Sequence, residues 1–527
     1  MRSLFRPVVF IAFEEDDNLG IGYLCAILSK KGFDTRVVDF RFNNYEILEL
    51  VTRLDPMVIG FSVIFESYIK KFQKLATLLK EGGIRCHYTA GGHYASLRYK
   101  ELFDLMPSLD SIVRFDGEYT MLELTRCIAS GKEWRDTNGI VYKKKGKLIS
   151  NPLRPLEKNL DKYPFPMRFS LKEYALGKKY ATILAGRGCV YNCSYCCLRE
   201  YYRQVPGPVK RIRSPENVVR EMELLLCEKE CSIFLFEDDD FPLKTGQGSA
   251  WIKKFCKELD LKGLDDKIMW KINCRPDEID EESIDIMKRN GLFLIFIGIE
   301  DGTDIGLHRL NKHMTTAQCL DCINILRKFG IDFDYGFMLF QPSSTFKSIN
   351  ENLNFLKLIT RDGNTPVMFN KLLPYFGSDV EKVLKEEGRL KEGADLPDYD
   401  FDEKSLNRYH DFIHECFAEW LNDARGVVNI LRWARIYYSV YSRYYGFSPK
   451  ASSLNRKVRK VIKESNKFIL NTMKELAGLF ESAKNYRGIN RILKDYRKSI
   501  ISHHQGYVEQ INCTISEYIE LAWNNKN

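Results

Sequence analysis

Short apolar runs alternate with amphipathic segments over residues 1–145. Continuous apolar runs such as 8–13 and 57–64 are typical of strands buried on both faces of a parallel sheet. The next segment along the chain, 67–83, repeats apolar residues at helical spacing and ends at a glycine pair. The alternation predicts a Rossmann-like, doubly wound α/β domain that binds ligands at the carboxyl ends of its strands.

A second alternation of strands and helices begins near Tyr180 and ends at Pro374. Between the two, residues 146–178 are rich in Pro and Lys and show little periodicity, which predicts a linker. Six strand–helix units within residues 179–375 predict a full or partial (β/α)6 parallel barrel, whose chemistry lies at the strand carboxyl ends. Residues 376–527 are predicted to form a C-terminal α-helical domain, so the fold class is α/β with a helical addition.

Composition excludes several classes of protein. The 527 residues are 44% hydrophobic and 13% aromatic, which excludes a disordered chain. No apolar run approaches the roughly 20 residues of a membrane span, and acidic residues stand where a secretory signal would stay apolar. Fifteen cysteines are too few for a disulfide scaffold. We therefore expect a cytoplasmic protein with metal chemistry at its clustered cysteines.

The net charge of +9 is concentrated in residues 404–527, the basic tail, which holds 21 Lys and Arg against 11 Asp and Glu. Residues 432–447 interleave Arg with Trp433 and five tyrosines. Two interpretations are open: a packed aromatic face with solvated cations, or a lid that places Trp433 and Arg435 at the barrel entrance. The lid would favour an anionic small molecule or a peptide as substrate. No nucleic-acid-binding module is recognised, so a nucleic-acid substrate is not expected.

Three cysteines, Cys189, Cys193 and Cys196, are spaced CxxxCxxC on one predicted loop after the first barrel strand. Three thiolates can each bind one iron of a 4Fe-4S cluster and leave the fourth iron open to a small chelating ligand, whereas electron-transfer clusters use four cysteines. Zinc is the alternative, although structural zinc prefers two separated pairs of ligands. The adjacent Cys197 is expected to point into packing.

A further CxxC pair, Cys319 and Cys322, lies within a predicted amphipathic helix. A second cluster is the alternative there, but no other cysteine pair lies near in sequence. The helical pattern favours burial of both thiols.

With these cysteines the barrel resembles the radical S-adenosylmethionine (SAM) superfamily. The resemblance includes Tyr195, an aromatic residue directly before the third cysteine that borders the adenine in that family. It implies that the open iron chelates SAM and that one-electron reduction cleaves SAM to a 5′-deoxyadenosyl radical. An electron donor such as flavodoxin or ferredoxin is implied as well.

Four further segments match the superfamily in order along the barrel: FEDDDF (236–241), INCRPDEID (272–280), GIEDGTDIGLHRLNK (298–312) and residues 372–390. The last resembles the stretch that closes the barrel in the cobalamin-binding branch. The resemblance implies that Glu300 binds the SAM ribose and Lys312 the SAM carboxylate. The other candidate SAM contacts are Asp238, Asp239, Asn273 and Arg275, with a solvated acidic turn as the alternative for the two aspartates.

The N-terminal domain resembles the cobalamin-binding domain that precedes many radical SAM barrels. The matching segments are LGIG (19–22), GFSVI (60–64), AGGHYASL (90–97) and RFDGEYTMLEL (114–124). The implied cobalamin contacts are Leu19, Gly20, Gly22, Tyr23, Ser62, Val63, Gly91, Gly92, His93, Gly117 and Glu118. Because LGIG is not a GxGxxG fingerprint, a nicotinamide cofactor is not expected.

One segment departs from the pattern of histidine-ligated cobalamin. Such domains carry DxHxxG after the first strand, where this chain has EEDDNLGIG (14–22). The nucleotide tail of cobalamin is therefore expected to be displaced without a histidine in its place. His93 is the alternative ligand, and a domain that has lost its cofactor is the other alternative.

Together the resemblances cover residues 5–390 and imply a cobalamin-dependent radical SAM C-methyltransferase. Methylcobalamin would supply the methyl group to an unactivated carbon of a natural-product intermediate or peptide. Two alternatives stay open. One is a non-methylating rearrangement, cyclisation or oxidation on the same fold, and the other is a cluster-bearing electron carrier or sensor.

Overall fold

The computed structural model describes residues 6–14, 17–244, 248–391, 396–482 and 486–525. Two seven-stranded sheets organise the first 375 residues, and long helices follow them. None of the described helices has the length and apolar content that crossing a membrane requires.

The first sheet has five parallel strands and an antiparallel pair at one edge. Its strands are β1 (Val8–Ala12), β2 (Thr35–Asp39), β3 (Val58–Ser62), β4 (His87–Gly91), β5 (Ser111–Val113), β6 (Ile140–Lys144) and β7 (Lys147–Ser150). The helices of this unit are α1 (Leu19–Ser29), α2 (Asn44–Leu54), α3 (Ile69–Glu81), α4 (His93–Leu97), α5 (Tyr99–Leu105) and α6 (Glu118–Ala129). The strand order β2-β1-β3-β4-β5-β6-β7 confirms the predicted doubly wound sheet, with a crevice at the carboxyl ends of β1 and β3.

The second sheet is a half-barrel of six parallel strands with an antiparallel edge strand. In chain order the strands from here to the end of the α/β part are β8 (Glu173–Ala175), β9 (Lys178–Ile183), β10 (Gly186–Arg187), β11 (Arg211–Ile212), β12 (Cys231–Phe236), β13 (Met269–Cys274), β14 (Leu292–Glu300), β15 (Asp332–Phe340), β16 (Asn370–Lys371), β17 (Leu390–Lys391) and β18 (Asp398–Tyr399). The order β16-β15-β14-β13-β12-β9-β8 leaves the barrel unclosed, as one of the two predicted forms.

Among the described residues, eight helices follow in chain order within the half-barrel unit: α7 (Leu198–Arg203), α8 (Pro215–Lys229), α9 (Gly248–Leu261), α10 (Glu281–Arg289), α11 (Asp304–Arg309), α12 (Thr316–Lys328), α13 (Phe346–Ile359) and α14 (Asp379–Glu386). Along β13 the residues alternate in exposure: Ile272 is buried beneath the helices, whereas Lys271 and Asn273 face the open interior and are half-buried. The inner face can therefore receive a ligand.

The segment predicted as a linker is only partly one. Its first residues form β7, which pairs with β6, so the first unit extends to Ser150. The turn between these strands places Lys145 and Gly146 at φ +49° and +76°, the left-handed pair that a tight hairpin requires. The Lys-rich composition concealed this hairpin because strand alternation is short and weak there.

The basic tail folds into α15 (Lys404–Asn422), α16 (Val427–Tyr444), α17 (Pro449–Ser482) and α18 (Asn490–Asn524). Helix α16 lies against the amino ends of the half-barrel strands. The Tyr444 hydroxyl donates to the Ser232 carbonyl at 2.8 Å, and Arg443 donates to the Ile268 carbonyl at 3.0 Å. Helix α16 of the tail therefore closes the base of the half-barrel, opposite the strand carboxyl ends.

This position corrects the expectation that Trp433 and Arg435 flank the substrate entrance. Arg435 is 4% exposed and pairs with Asp334 near the start of β15. Trp433 packs edge-on against Tyr174, with ring centroids 5.1 Å apart. The apolar face of α16 covers the apolar base of the barrel, and this burial decides where the tail packs.

Candidate active site

The cysteine loop, residues 188–197, begins just beyond the carboxyl end of β9 and leads into α7. Its Cys189, Cys193 and Cys196 are partly buried free thiols that influence one another electrostatically. Among the described residues, no three acidic, His or Cys side chains converge on a point suited to one metal ion. A cubane cluster needs no such convergence, because each thiolate binds a different iron. Three adjacent thiols thus fit a 4Fe-4S cluster.

Burial sets the protonation of Cys189 and Cys196 when no metal is bound. Desolvation raises the pKa of Cys189 and of Cys196 to about 12. Cluster ligands are thiolates, so binding of iron at this loop must release protons.

Hydrogen bonds fasten the cysteine loop to the segment that precedes α12. The Ser194 N–H donates to the Leu310 carbonyl at 3.0 Å, and the Asn311 side chain donates to the Asn192 carbonyl at 2.9 Å. Asn311 and His313 have φ of +54° and +53°, backbone values that few non-glycine residues adopt. The LNK segment therefore positions the loop as well as contributing Lys312.

The spare cysteines lie in packed surroundings. Cys197 precedes the first turn of α7, and burial raises its pKa to about 11. Cys319 and Cys322 are 0% and 1% exposed on the buried face of α12. Their burial agrees with the helical interpretation of this CxxC.

Glu300 and Lys312 meet at the open end of the half-barrel. The Lys312 Nζ is 3.8 Å from Glu300 Oε1, and Lys312 is 3% exposed. Glycines provide the room: a Cβ on Gly298 would lie 2.8 Å from Glu300 Oε1, and a Cβ on Gly336 would lie 3.0 Å from Oε2. Burial and the charge of Glu300 raise the pKa of Tyr195.

Asp238 and Asp239 of the FEDDDF segment have different surroundings. Asp238 is 6% exposed and accepts backbone hydrogen bonds from Ala185 at 3.1 Å and Gly186 at 2.5 Å. Burial raises the pKa of Asp238 to about 7. Asp239 accepts from the Tyr202 hydroxyl at 3.0 Å. Asp238 is therefore not part of a solvated turn; it fastens Ala185 and Gly186, just before the cysteine loop, to the end of β12.

Asn273 and Arg275 point in different directions from the end of β13. The Asn273 amide donates to the Phe236 carbonyl at 3.2 Å on the interior side. The Arg275 guanidinium contacts the cysteine loop, with Nη1 3.8 Å from Cys193 Sγ. The Arg275 guanidinium thus contacts one of the cysteines predicted to hold the cluster, and its contact with SAM stays a prediction.

A cavity of about 640 Å³ lies between the first sheet and the half-barrel. Nine of the predicted cobalamin contacts line it: Leu19, Gly20, Tyr23, Ser62, Gly91, Gly92, His93, Gly117 and Glu118. The barrel side of the cavity includes Thr182, Leu184, Gly186, Arg187, Glu237 and Asp239. Glycine backbone at the strand ends admits a large flat ligand, so the cavity fits cobalamin. It also opens onto the barrel interior.

Two predicted cobalamin contacts do not line this cavity. A Cβ on Gly22 would lie 2.6 Å from the Met167 carbonyl oxygen, so this glycine admits the connecting segment. Val63 is fully buried, and its carbonyl would lie 2.6 Å from a Cβ on Gly92, whose φ is +112°. Val63 thus requires glycine at position 92.

His93 lies on the cavity wall, where its ring packs on Tyr201 with centroids 4.5 Å apart. Among the described residues that line the cavity it is the single histidine. Burial lowers the pKa of His93, so the ring favours its neutral form. The segment EEDDNLGIG is described except for Glu15 and Asp16, which lie outside the described residues.

Sequence reasoning missed Arg187, which joins the two units at the cavity. Its guanidinium lies 2.7 Å from Glu118 and 3.5 Å from Asp116, and 4.8 Å from the centroid of the Tyr23 ring. A basic residue between β9 and the first cysteine was the available signal. These ion pairs join the half-barrel to the first unit at the cavity wall.

Sequence reasoning also missed the ion pair of Glu237 and Lys271. Their charged groups lie 3.6 Å apart inside the half-barrel. The alternation in MWKINC (269–274), with Lys271 and Asn273 two residues apart in an apolar strand, could have identified this inner face.

Two family models match the chain in the order of its two units. The B12 binding domain matches residues 12–125 and the radical SAM superfamily matches residues 183–356. The matched ranges contain the cavity-lining glycines and the cysteine loop, respectively.

Known proteins resemble the chain over most of this span. An uncharacterized methyltransferase of Pyrococcus horikoshii is 26% identical over 374 residues, which cover 68% of this chain and 76% of that protein. The anaerobic magnesium-protoporphyrin IX monomethyl ester cyclase of Rubrivivax gelatinosus is 27% identical over 384 residues, covering 68% and 66%.

A solved structure shows the same fold over nearly the whole chain. The cobalamin-dependent S-adenosylmethionine radical enzyme OxsB, with aqua-cobalamin and S-adenosylmethionine bound, matches with a TM-score of 0.68 at 16% identity, covering 98% of this chain and 84% of that chain. The chain therefore joins a B12-binding domain to a radical SAM domain and belongs to the cobalamin-binding radical SAM enzymes, whose cofactors are a 4Fe-4S cluster, SAM and cobalamin.

Proposed function

We propose that this radical SAM enzyme transfers a methyl group to a carbon atom of its substrate. The observation that carries the proposal is the shared cavity, because the wall that fits cobalamin faces barrel residues such as Thr182 and Glu237. When bound, the cluster supplies an electron for SAM cleavage and cobalamin supplies the methyl group. The similarity to a methyltransferase of Pyrococcus horikoshii supports the same reaction.

The chain's own residues would hold SAM at the end of the half-barrel. The Lys312 ammonium suits the SAM carboxylate, and the Glu300 carboxylate suits the ribose hydroxyls. Tyr195, whose pKa the charge of Glu300 helps to raise, would border the adenine. Because Lys312 is only 3% exposed to solvent, its charge would act on a bound carboxylate with little solvent screening.

The substrate would occupy the interior of the half-barrel. Glu237, Lys271 and Asn273 give this surface charges of both signs, which favours a polar small molecule. The basic tail gives no support to an anionic substrate, since its helix α16 packs at the base of the half-barrel. The inference about the substrate therefore rests on the charges inside the half-barrel and not on the net charge of the chain.

Deuterium-labelled SAM tests the reaction class without a known substrate. Cluster-reconstituted protein with reduced cobalamin and methyl-labelled SAM should form S-adenosylhomocysteine, and omission of cobalamin should abolish that product. Reductant should also yield 5′-deoxyadenosine, with or without cobalamin. Formation of 5′-deoxyadenosine without any S-adenosylhomocysteine would favour a non-methylating reaction, as the name of the cyclase relative suggests. Neither product would favour an electron carrier or sensor.

Lys312→Met is expected to weaken SAM binding by about 10-fold or more, since a hydrogen bond to a charged group contributes about 1.5–3 kcal/mol. The dissociation constant of SAM can be measured by anaerobic equilibrium dialysis on the cluster-reconstituted protein. Lys347→Met is the matched control, because the Lys347 side chain is 85% exposed and lies 3.9 Å from Glu351. Equal SAM affinity in the two variants would remove Lys312 from the SAM site.

Cobalt(II) cobalamin bound to the protein is expected to give an electron-spin spectrum without nitrogen coupling from an axial ligand. The segment after β1 lacks histidine, and the His93 ring packs on Tyr201. His93→Ala should therefore leave the spectrum unchanged. Nitrogen coupling that disappears in His93→Ala would identify His93 as the cobalt ligand.

A further inference from the structure

Arg275 brings a positive charge to one of the three cluster cysteines. Its Nη1 lies 3.8 Å from Cys193 Sγ, and the residue is 7% exposed. A guanidinium stays protonated in proteins, and at this burial water screens its charge poorly. The contact spans 82 positions of sequence, so it depends on the packing of β13 against the cysteine loop.

The guanidinium is held firmly in this orientation. Its Nε and Nη2 donate to the two carboxylate oxygens of Asp277 at 2.9 and 3.1 Å, and Nη2 also donates to the Lys312 carbonyl. Its central carbon lies 3.8 Å from the centroid of the Tyr191 ring, whose hydroxyl donates to Glu278 at 2.7 Å. These partners occupy one edge and one face of the Arg275 guanidinium, and its Nη1 is left directed at the Cys193 sulfur.

We propose that Arg275 raises the reduction potential of the 4Fe-4S cluster by donating to the Cys193 thiolate. Reduction adds one electron, and therefore one negative charge, to the cluster. A fixed N–H donor and positive charge beside a ligand sulfur stabilise the reduced form more than the oxidised form. Asp277 offsets part of this charge from the opposite edge of the guanidinium. Arg275 is thus a positioning residue that acts through Cys193, with no contact to SAM required.

The test is a reductive titration of the reconstituted cluster, followed by electron-spin resonance, in the absence of SAM and cobalamin. Arg275→Gln should shift the midpoint potential to a more negative value, and Arg275→Lys should restore part of the shift. Asp277→Asn should shift the potential in the positive direction, because it removes the compensating charge. Lys244→Gln is the matched control: Lys244 is exposed and donates to the Asp277 carbonyl, so loss of its screened charge should leave the potential unchanged.

Iron and sulfide contents separate this effect from failure to assemble the cluster. If Arg275→Gln assembles no cluster, the proposal is tested by the midpoint potentials of the Arg275→Lys and Asp277→Asn variants. Unchanged potentials, or shifts of the same sign in the Arg275 and Asp277 variants, would overturn the proposal, because a merely structural role has no charge dependence. The measurement involves no methyl transfer, so its outcome is independent of the proposed function.

Discussion

Replacement of Cys189, Cys193 or Cys196 by alanine is expected to reduce 5′-deoxyadenosine formation by at least ~100-fold, because each thiolate would hold a separate iron and two ligands would not retain a site-differentiated cluster. The three thiols lie together on the cysteine loop and are not bound to one another. Iron content, visible absorption and 5′-deoxyadenosine are measured on anaerobically reconstituted protein.

Cys197→Ala is the matched control, since Cys197 lies on the same loop and is also partly buried. It should retain the cluster and the cleavage of SAM. A variant series in which Cys197→Ala loses the cluster while one of the other three keeps it would change the assignment of ligands.

Arg435→Met is expected to lower the melting temperature by about 5 °C or more, because breaking a buried ion pair costs about 3–5 kcal/mol. Arg435 is the buried partner of Asp334 and also donates to the carbonyls of Phe333 and Asn364. Arg432 lies 2.8 Å from the same carboxylate but is more exposed. Differential scanning calorimetry on the full chain measures the shift.

Lys457→Met provides the control for this prediction. Lys457 lies in the same basic tail, but its side chain is 60% exposed and 3.6 Å from Glu517, and exposed pairs contribute only about 0–1 kcal/mol. Its melting temperature should stay near that of the parent protein. If Arg435→Met left the stability unchanged and instead weakened turnover of substrate, the tail would belong to the entrance after all.

The sequence by itself determined the features that depend on neighbouring positions. Alternation of apolar runs and amphipathic helices predicted both α/β units. A strand buried on two faces is a continuous apolar run, and a helix buried along one stripe repeats apolar residues at helical spacing, so both patterns can be read from the order of residues. The spacing of the three cysteines predicted the cluster, because a single loop carries all its ligands. The segments that resemble a cobalamin-binding domain identified nine residues of the cavity wall, four of which are glycines.

Only the tertiary structure decided the features that join distant segments. Arg435 and Asp334 are 101 positions apart, and Arg275 and Cys193 are 82 apart. The sequence shows that each arginine is basic, but not which buried carboxylate or sulfur lies opposite it. The positions of the basic tail and of Gly22 depended likewise on which apolar surface or backbone segment lay against them. These contacts depend on the packing of whole helices and sheets. The order of residues along one segment does not predict which other surface will pack against it.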